Sequence, residues 1–271
     1  MDNLFPHPPG ETSFVAIGDS FTEGLNDAAP GGGYRGWADR LAGTMAAEYP
    51  GLQYANLAVR GKLLRQIVAE QVPAAVAMSP GLVSIAGGGN DIIRPGGDPD
   101  TLAELFDAAV ARLRATGCRV LMFTGADLVG FPVMRLLRGR IAAYNMHLRS
   151  IADERGCDLV DLWSMRFLRE LSAWSPDRLH MTSSSHQRVA LRAGEVLGLS
   201  VVEDWRDAPA LAGWHPPESG GNWLAARRED VRWAREYLAP WASRRLHGVS
   251  SGDGRSAKRP QLSPVSPPIL M

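Results

Sequence analysis

Five apolar segments rich in β-branched residues recur along the sequence and constrain the fold more than any other feature. Their near-continuous apolarity, without alternating polar residues, is typical of strands that are covered on both faces of a parallel sheet. We predict these strands at Phe14–Ile17, Gln53–Leu57, Leu82–Ala86, Arg119–Thr124 and Asp158–Leu162.

Helical patterns lie between these strands and after the last of them. They cover Tyr34–Tyr49, Lys62–Val72 (running on toward Met78), Thr101–Ala115, Val133–Glu154 and Ser183–Leu197. Strands that alternate with helices indicate βαβ units with right-handed crossovers. We therefore predict an α/β fold, a doubly wound three-layer α/β/α sandwich. Its five-stranded parallel sheet takes the common order 2-1-3-4-5.

The 271 residues suit one domain of roughly 200 residues with an appendage. We assign residues 1–198 to the sheet domain. Residues 199–247 hold five of the eight tryptophans and an amphipathic pattern from Leu224 to Leu246, interrupted at Pro240, so we expect a helical appendage packed on that domain. Residues 248–271 are rich in Ser, Pro and Gly, which favours a disordered tail.

Amino-acid composition and charge indicate which kinds of partner and which cellular compartment the sequence favours. The formal charges cancel, so nothing favours binding to nucleic acid or to an anionic membrane. No apolar run approaches the roughly 20 residues of a membrane span, and the first residues lack the pattern of a secretory signal. The only cysteines, Cys118 and Cys157, fit a reducing compartment. We expect a cytoplasmic protein, and the sequence does not indicate its oligomeric state.

The segment GDSFTEG, which follows the first predicted strand, contains Ser20. The carboxyl edge of an open α/β sheet is where such folds place their sites. Ser20 is thus either a nucleophile whose own N–H faces the crevice or part of a Gly-Asp-Ser turn that starts a helix. The G-x-S-x-G elbow of α/β-hydrolases is absent, so that fold is not supported.

The loop WSPDRLH places Asp177 three residues before His180. This separation lets a carboxylate reach the imidazole Nδ1–H and fix the tautomer of a general base. The alternative is a helix cap beside a solvated histidine. His186 fits a surface or core position better than a second base, and His147 and His215 have no carboxylate at a comparable spacing.

Three strand ends offer hydrogen-bond donors to one crevice. Asn90 follows three glycines after the third strand, and its amide suits an oxyanion. Gly61 opens a helical pattern, where backbone N–H groups have no intrahelical partner. The N–H of Ser20 is the third donor. The alternatives are a capped glycine-rich turn at Asn90 and a simple turn glycine at Gly61.

Two other kinds of site are not supported. Gly31, Gly33 and Gly36 match G-x-G-x-x-G, but they follow a polar loop, and no acidic residue lies about 20 positions further on, as dinucleotide binding requires. The sequence has no H-E-x-x-H, no cysteine pair and no clustered histidines. We therefore predict neither a cofactor nor a metal.

Together these four short sequence segments resemble the four conserved blocks of the SGNH/GDSL hydrolases. The resemblance covers residues 13–198 and rests on Gly18-Asp19-Ser20, Gly61, Gly89-Asn90-Asp91 and Asp177-x-x-His180. It implies a flavodoxin-like sheet and a triad of Ser20, His180 and Asp177. It also implies an oxyanion hole made by Ser20, Gly61 and Asn90, with no cofactor.

The function that follows is hydrolysis of a small-molecule carboxylic ester through an acyl-enzyme. Since no large cap is evident, we expect short acyl chains. The alternatives are acyl transfer to an alcohol, thioester hydrolysis, or a non-catalytic module that binds an acylated ligand, although a binder has no need of Asp177 behind His180. Candidate specificity loops are Asn26–Gly33, Arg94–Asp100 and Asp127–Val133.

Overall fold

A mixed six-stranded sheet lies between two layers of helices. The computed structural model describes residues 12–131, 134–200, 203–207, 228, 231–240 and 250–266. Within these ranges the strand order is β5-β4-β3-β1-β2-β6. The strands are β1 (Ser13–Ile17), β2 (Gln53–Asn56), β3 (Leu82–Ile85), β4 (Arg119–Phe123), β5 (Asp158–Val160) and β6 (Arg259–Pro264).

The five predicted strands form the parallel part of the sheet. Their pairing gives the order 2-1-3-4-5, with β1 hydrogen-bonded to both β2 and β3. Every residue of β1 and of β3 is buried, as expected for strands covered on both faces. The predicted α/β three-layer sandwich is therefore confirmed. The five strands followed from the apolar pattern, and their order followed from the arrangement common to such folds.

The sixth strand corrects the prediction of a five-stranded sheet, and it is formed by residues 259–264 of the tail that the sequence predicted to be disordered. β6 pairs antiparallel with β2, with Tyr54 opposite Ser263. An edge strand such as β2 exposes unpaired backbone groups, and β6 fills that row. The tail has too few apolar residues to order itself, so its order depends on this edge, which composition alone does not reveal.

The helices lie in two layers. They are α1 (Ser20–Glu23), α2 (Gly36–Glu48), α3 (Leu64–Gln66), α4 (Val72–Ala77), α5 (Gly89–Ile92), α6 (Pro99–Arg114), α7 (Arg138–Arg155) and α8 (Ser183–Leu197). Trp37 of α2 and Val189 of α8 belong to the apolar core on one face of the sheet. Phe106 of α6 and Leu148 of α7 belong to the core on the other face.

One predicted helix differs in its local geometry. The pattern from Lys62 toward Met78 indicated one continuous helix, but a π-helical turn, Ile67–Gln71, separates α3 from α4. The wider turn directs Gln71 toward the end of β1. Its amide accepts from Gly18 N–H at 2.7 Å and donates to the Gly18 carbonyl at 2.9 Å. A π-turn of this kind often marks a functional region.

Most of the tryptophan-rich segment, residues 199–247, lies outside the described residues. The predicted helix from Leu224 to Leu246 is described only in part, and residues 231–240 are helical. Trp233 in that stretch is 7% exposed. Among the described residues, none of the helices combines the length and apolarity that a membrane-spanning helix needs.

Candidate active site

Ser20 is the first residue of α1, directly after β1 reaches the carboxyl edge of the sheet. Asp19 caps this short helix, because its carboxylate accepts the N–H of Phe21 at 3.1 Å. The N–H groups of a first helical turn have no intrahelical acceptor. Ser20 therefore carries its hydroxyl and an N–H at the same strand end, as the sequence predicted.

Gly18 lets the strand end pass close to its neighbours. A Cβ at this position would lie 2.5 Å from the Thr22 hydroxyl oxygen and 2.7 Å from the Ala86 carbonyl oxygen. Both distances are too short for any side chain at position 18. Together with the two hydrogen bonds from Gln71, this close packing fixes the backbone that presents Ser20.

Asp177 and His180 form the predicted pair. The imidazole Nδ1–H donates to Asp177 Oδ2 at 2.7 Å, which leaves Nε2 as the acceptor nitrogen. The other carboxylate oxygen accepts the backbone N–H groups of Leu179 and His180, each at 3.0 Å. The carboxylate thus holds both the ring and the backbone of its own loop.

Two further residues support Asp177 from other parts of the chain. Asn26 donates its side-chain amide to Asp177 Oδ2 at 3.0 Å, and the Trp233 indole N–H donates to the Asp177 carbonyl at 3.0 Å. The Arg178 guanidinium lies 5.2 Å from the centre of the Trp233 ring. The sequence suggested none of these contacts, since the partners lie far apart along the chain.

The hydrogen bonds to Asp177 affect the pKa of its carboxyl group. Burial raises the pKa of its carboxyl, but the hydrogen bond and charge of His180, together with the backbone donors, outweigh that effect and bring the pKa below its ordinary value. Asp177 is therefore a carboxylate at neutral pH. An ionised partner is what an imidazole that accepts a proton requires.

Asn90, in α5, lies beside Asp19. Its Nδ2 donates to Asp19 Oδ2 at 3.0 Å and to the Lys62 carbonyl at 3.1 Å. Burial raises the pKa of Asp19 to about 6, while the Phe21 N–H, His180 and Asn90 act in the opposite direction. Asp19 thus links the helix that carries Ser20 to the amide predicted as an oxyanion donor.

One cavity of about 460 Å³ brings the five predicted site residues together, since Ser20, Gly61, Asn90, Asp177 and His180 all line it. That volume lies within the range of roughly 300–1,000 Å³ usual for small-molecule sites. The residues come from five separate positions of the chain and meet at the carboxyl edge of the sheet. The sequence predicted this convergence.

Much of the cavity wall is apolar and buried. Its walls include core side chains that are less than a tenth exposed, namely Ile92, Phe123, Ile141, Leu148, Leu162 and Trp174. Other lining residues are polar and partly exposed, among them His180. The cavity therefore offers buried apolar walls to a hydrocarbon group and polar side chains that solvent reaches.

The other histidines have different surroundings. His186 is 1% exposed; its Nδ1 accepts the Trp37 N–H at 3.2 Å, and burial lowers its pKa to about 4. It is a neutral core histidine at the cavity wall. His147 pairs with Asp100 at 2.7 Å and does not line the cavity. His215 lies outside the described residues.

Gly36, the last glycine of the G-x-G-x-x-G match, has a packing role. It starts α2 with a φ of +75°, and a Cβ on it would lie 2.3 Å from the Gly24 Cα. Gly31 and Gly33 have open space around them, and none of the three lines the cavity. Among the described residues, no cluster of His, Cys, Asp and Glu has the arrangement of a metal site.

The three predicted specificity loops contribute unequally. The loop Asn26–Gly33 supports Asp177 through Asn26, although none of its residues lines the cavity. The loop Arg94–Asp100 also has no residue there. From the loop Asp127–Val133, Leu128 lines the cavity. Asp127 is instead buried in ion pairs with Arg138 and Arg169.

Three lining residues come from beyond the sheet domain: Tyr237, Ser251 and Arg255. Sequence reasoning assigned these positions to an appendage and to a disordered tail. No local motif identifies them, because they reach the cavity only through the pairing of β6 with β2 and the packing of Trp233 on the Asp177 loop.

The sequence of residues 16–188 matches the GDSL-like lipase/acylhydrolase family. The chain belongs to that family. It is accordingly a carboxylic ester hydrolase of the SGNH type, and the matched range includes the strand ends and the loop described above. No curated protein sequence matches the chain.

Several solved structures share the fold. LAE5, described as an α/β hydrolase enzyme from the metagenome of Lake Arreo, Spain, is 22% identical with a TM-score of 0.60, and the match covers 71% of this chain and 97% of that one. A variant of Axe2, an acetyl xylan esterase from Geobacillus stearothermophilus, is 21% identical with a TM-score of 0.61, covering 72% of this chain and 98% of that one.

A GDSL-like lipase described as putative, from Parabacteroides merdae, is 17% identical with a TM-score of 0.59, and the match covers 72% of this chain and 99% of that one. Identities this low establish the fold alone. Each neighbour is covered almost completely, whereas more than a quarter of this chain has no counterpart. The family match ends at residue 188, before the C-terminal segment (residues 250–266).

Proposed function

We propose that this ester hydrolase works by a serine acyl-enzyme mechanism, with Ser20 as nucleophile, His180 as general base and Asp177 as the orienting carboxylate. The observation that carries the proposal is the 2.7 Å hydrogen bond from His180 Nδ1 to Asp177 in the wall of the cavity that Ser20 also lines. A partly buried, ionised carboxylate behind an imidazole has no value to a simple binding module.

The steps follow from this arrangement. Nε2 of His180 takes the proton of the Ser20 hydroxyl as its oxygen attacks the ester carbonyl, and Asp177 stabilises the imidazolium. The imidazolium then gives that proton to the departing alcohol oxygen. Water, deprotonated by the same imidazole, attacks the acyl-enzyme and releases the acid. Asn26 and Trp233 keep the Asp177 loop in place throughout.

The oxyanion that forms on the carbonyl oxygen is stabilised by the N–H of Ser20, the N–H of Gly61 and the Asn90 amide. Both amide hydrogens of Asn90 already have acceptors, at 3.0 and 3.1 Å. The oxyanion therefore shares the hydrogen that Asn90 gives to Asp19. Such a donor is typically worth about 3 kcal/mol of transition-state stabilisation.

The substrate in this proposal is a small ester whose acyl group lies in the cavity. We expect short acyl chains to be accepted, with the acyl group against apolar walls that include Phe123 and Leu148. The cytoplasmic location predicted from the sequence remains a prediction.

The test is hydrolysis of p-nitrophenyl esters from acetate to decanoate by the wild type and by Ser20→Ala. The expected result is turnover that depends on Ser20 and a chain-length optimum at the short end of the series. A Ser20→Ala variant that keeps more than a few per cent of wild-type kcat would overturn the assignment of the nucleophile.

A further inference from the structure

The C-terminal segment crosses the molecule next to one of the proposed oxyanion donors. The Ser250 hydroxyl donates to the Gly61 carbonyl at 3.2 Å. Gly252 is pressed against the neighbouring residue, since a Cβ on it would lie 2.0 Å from the Arg60 carbonyl oxygen. The turn around Gly252 carries Ser251 and Arg255 to the cavity wall.

Lys258 anchors this segment. Its ammonium donates to the carbonyl oxygens of Glu23, at 2.6 Å, Tyr34, at 3.0 Å, and Arg35, at 2.7 Å, and also to the Asp39 carboxylate. All these acceptors lie in or between α1 and α2. Lys258 and β6 hold the chain after the turn at residues 250–255, and the Ser250 contact with Gly61 holds it before the turn, so the turn is held at both ends.

Two arginines line the cavity, and their partners differ. Arg60 is neutralised by a bidentate ion pair with Glu23. The Arg255 Nε–H donates to the Ser251 carbonyl oxygen at 3.2 Å. No carboxylate of the described residues forms an ion pair with the Arg255 guanidinium. The nearby Asp253 instead accepts the N–H of Ser250, at 2.6 Å. Within the described part of the chain, Arg255 is thus an exposed cavity-lining cation with no ion-pair partner.

The acidic side chains of the cavity are already occupied. Asp177 accepts from His180 and Asn26, and Asp19 accepts from Phe21 and Asn90. Neither of these two carboxylates forms an ion pair with Arg255. Since the buried walls of the cavity are apolar and Arg255 is an exposed cation, the two kinds of lining suit the two parts of an ester differently.

We propose that Arg255 determines specificity by binding an anionic group, a carboxylate or a phosphate, on the alcohol part of the substrate. The acyl part lies against the apolar walls. Guanidinium groups bind both anions through paired N–H donors, and the contact is worth more than a neutral hydrogen bond. The inference rests on the proposed function, because it assumes that the ester is cleaved at Ser20.

The test compares three butanoate esters of matched shape. The alcohols are 4-hydroxybenzoate, 4-hydroxyphenyl phosphate and, as the neutral reference, methyl 4-hydroxybenzoate. The wild type is expected to prefer an anionic ester over the neutral one by about tenfold or more in kcat/KM, a preference that falls as salt is raised. The carboxylate and phosphate arms identify which anion is favoured.

The variants are Arg255→Gln, Arg255→Lys and, as a matched control, Arg112→Gln on the exposed side of α6. Arg255→Gln should remove most of the anionic-to-neutral preference, Arg255→Lys should keep part of it, and Arg112→Gln should leave it unchanged. Equal preference in wild type and Arg255→Gln would overturn the proposal. Turnover of the neutral ester by Ser20→Ala tests the proposed function separately. Loss of that turnover supports the proposed function, and retained turnover contradicts it.

Discussion

The sheet domain and the C-terminal segment contribute to the same cavity in different ways. Ser20 and Asn90 follow buried strands, and their positions are set by the parallel pairing of β1 and β3. Arg255 reaches the cavity because Lys258 and β6 hold a segment with few apolar residues. The positions of the reacting groups therefore depend on the packing of the core. The position of Arg255 depends instead on polar contacts between residues that are far apart along the chain.

This difference divides the expected effects of mutations. Substitutions of the site residues in the sheet domain should lower the rate of the chemical step by large factors. Substitutions in the C-terminal segment should change substrate preference and local stability, and these changes should be smaller. Each prediction below tests one side of that division.

The largest effect is expected at His180. His180→Ala should lower kcat on the order of 10⁶-fold, as removal of a triad base does elsewhere. Asp177→Ala should cost less, about 10⁴-fold, since Asp177 orients and stabilises the imidazolium without reacting. Steady-state kinetics on a neutral p-nitrophenyl ester measure both. A larger loss for Asp177→Ala than for His180→Ala would contradict these roles.

Asn90 should come next. Asn90→Ala is expected to lower kcat by about a hundredfold with little change in KM, because an oxyanion donor acts on charge that is present only in the transition state. The same kinetic assay, with KM and kcat separated, checks it. A variant that raised KM alone would make Asn90 a substrate-binding residue.

Asp19 should make stability depend on pH. Its pKa is about 6 in the folded protein against 3.8 as the ordinary value. The folded state therefore holds this proton more tightly, so the stabilisation is complete below pH 3.8 and is lost as the pH rises through 6. The loss amounts to about 3 kcal/mol, from about two pKa units at roughly 1.4 kcal/mol each.

Asp19→Asn has no such ionisation. The free energy of unfolding of Asp19→Asn, minus that of the wild type, should therefore rise by about 2.5 kcal/mol between pH 4 and pH 8. Urea titrations at a series of pH values measure this difference. A difference that stays level across the series would show that Asp19 is not the buried carboxyl that the structure describes.

The smallest of these effects concerns the anchor of the C-terminal segment. Lys258→Met leaves the Asp39 carboxylate and three carbonyl oxygens without their donor and should lower the free energy of unfolding by about 2 kcal/mol. Lys62→Met, which removes an ion pair with the half-exposed Glu70, is the matched control and should cost under about 1 kcal/mol. Equal costs would mean that Lys258 does not anchor the segment.

The sequence predicted much of the fold and the site because their signals are local. Continuous apolar runs indicated the five parallel strands, and the three-residue spacing from Asp177 to His180 indicated their hydrogen bond. β6, Gln71 and Arg255 were missed, since each acts on a partner far along the chain. The ammonium of Lys258 reaches the Glu23 carbonyl across 235 positions, a contact that no local pattern encodes.

The identity of the nucleophile can be measured directly. Reaction of the full-length protein with a fluorophosphonate, followed by proteolysis and tandem mass spectrometry, locates the modified side chain. The mechanism predicts one adduct on Ser20, formed in the wild type and absent in Ser20→Ala. An adduct on another residue, or labelling that persists in Ser20→Ala, would contradict the mechanism.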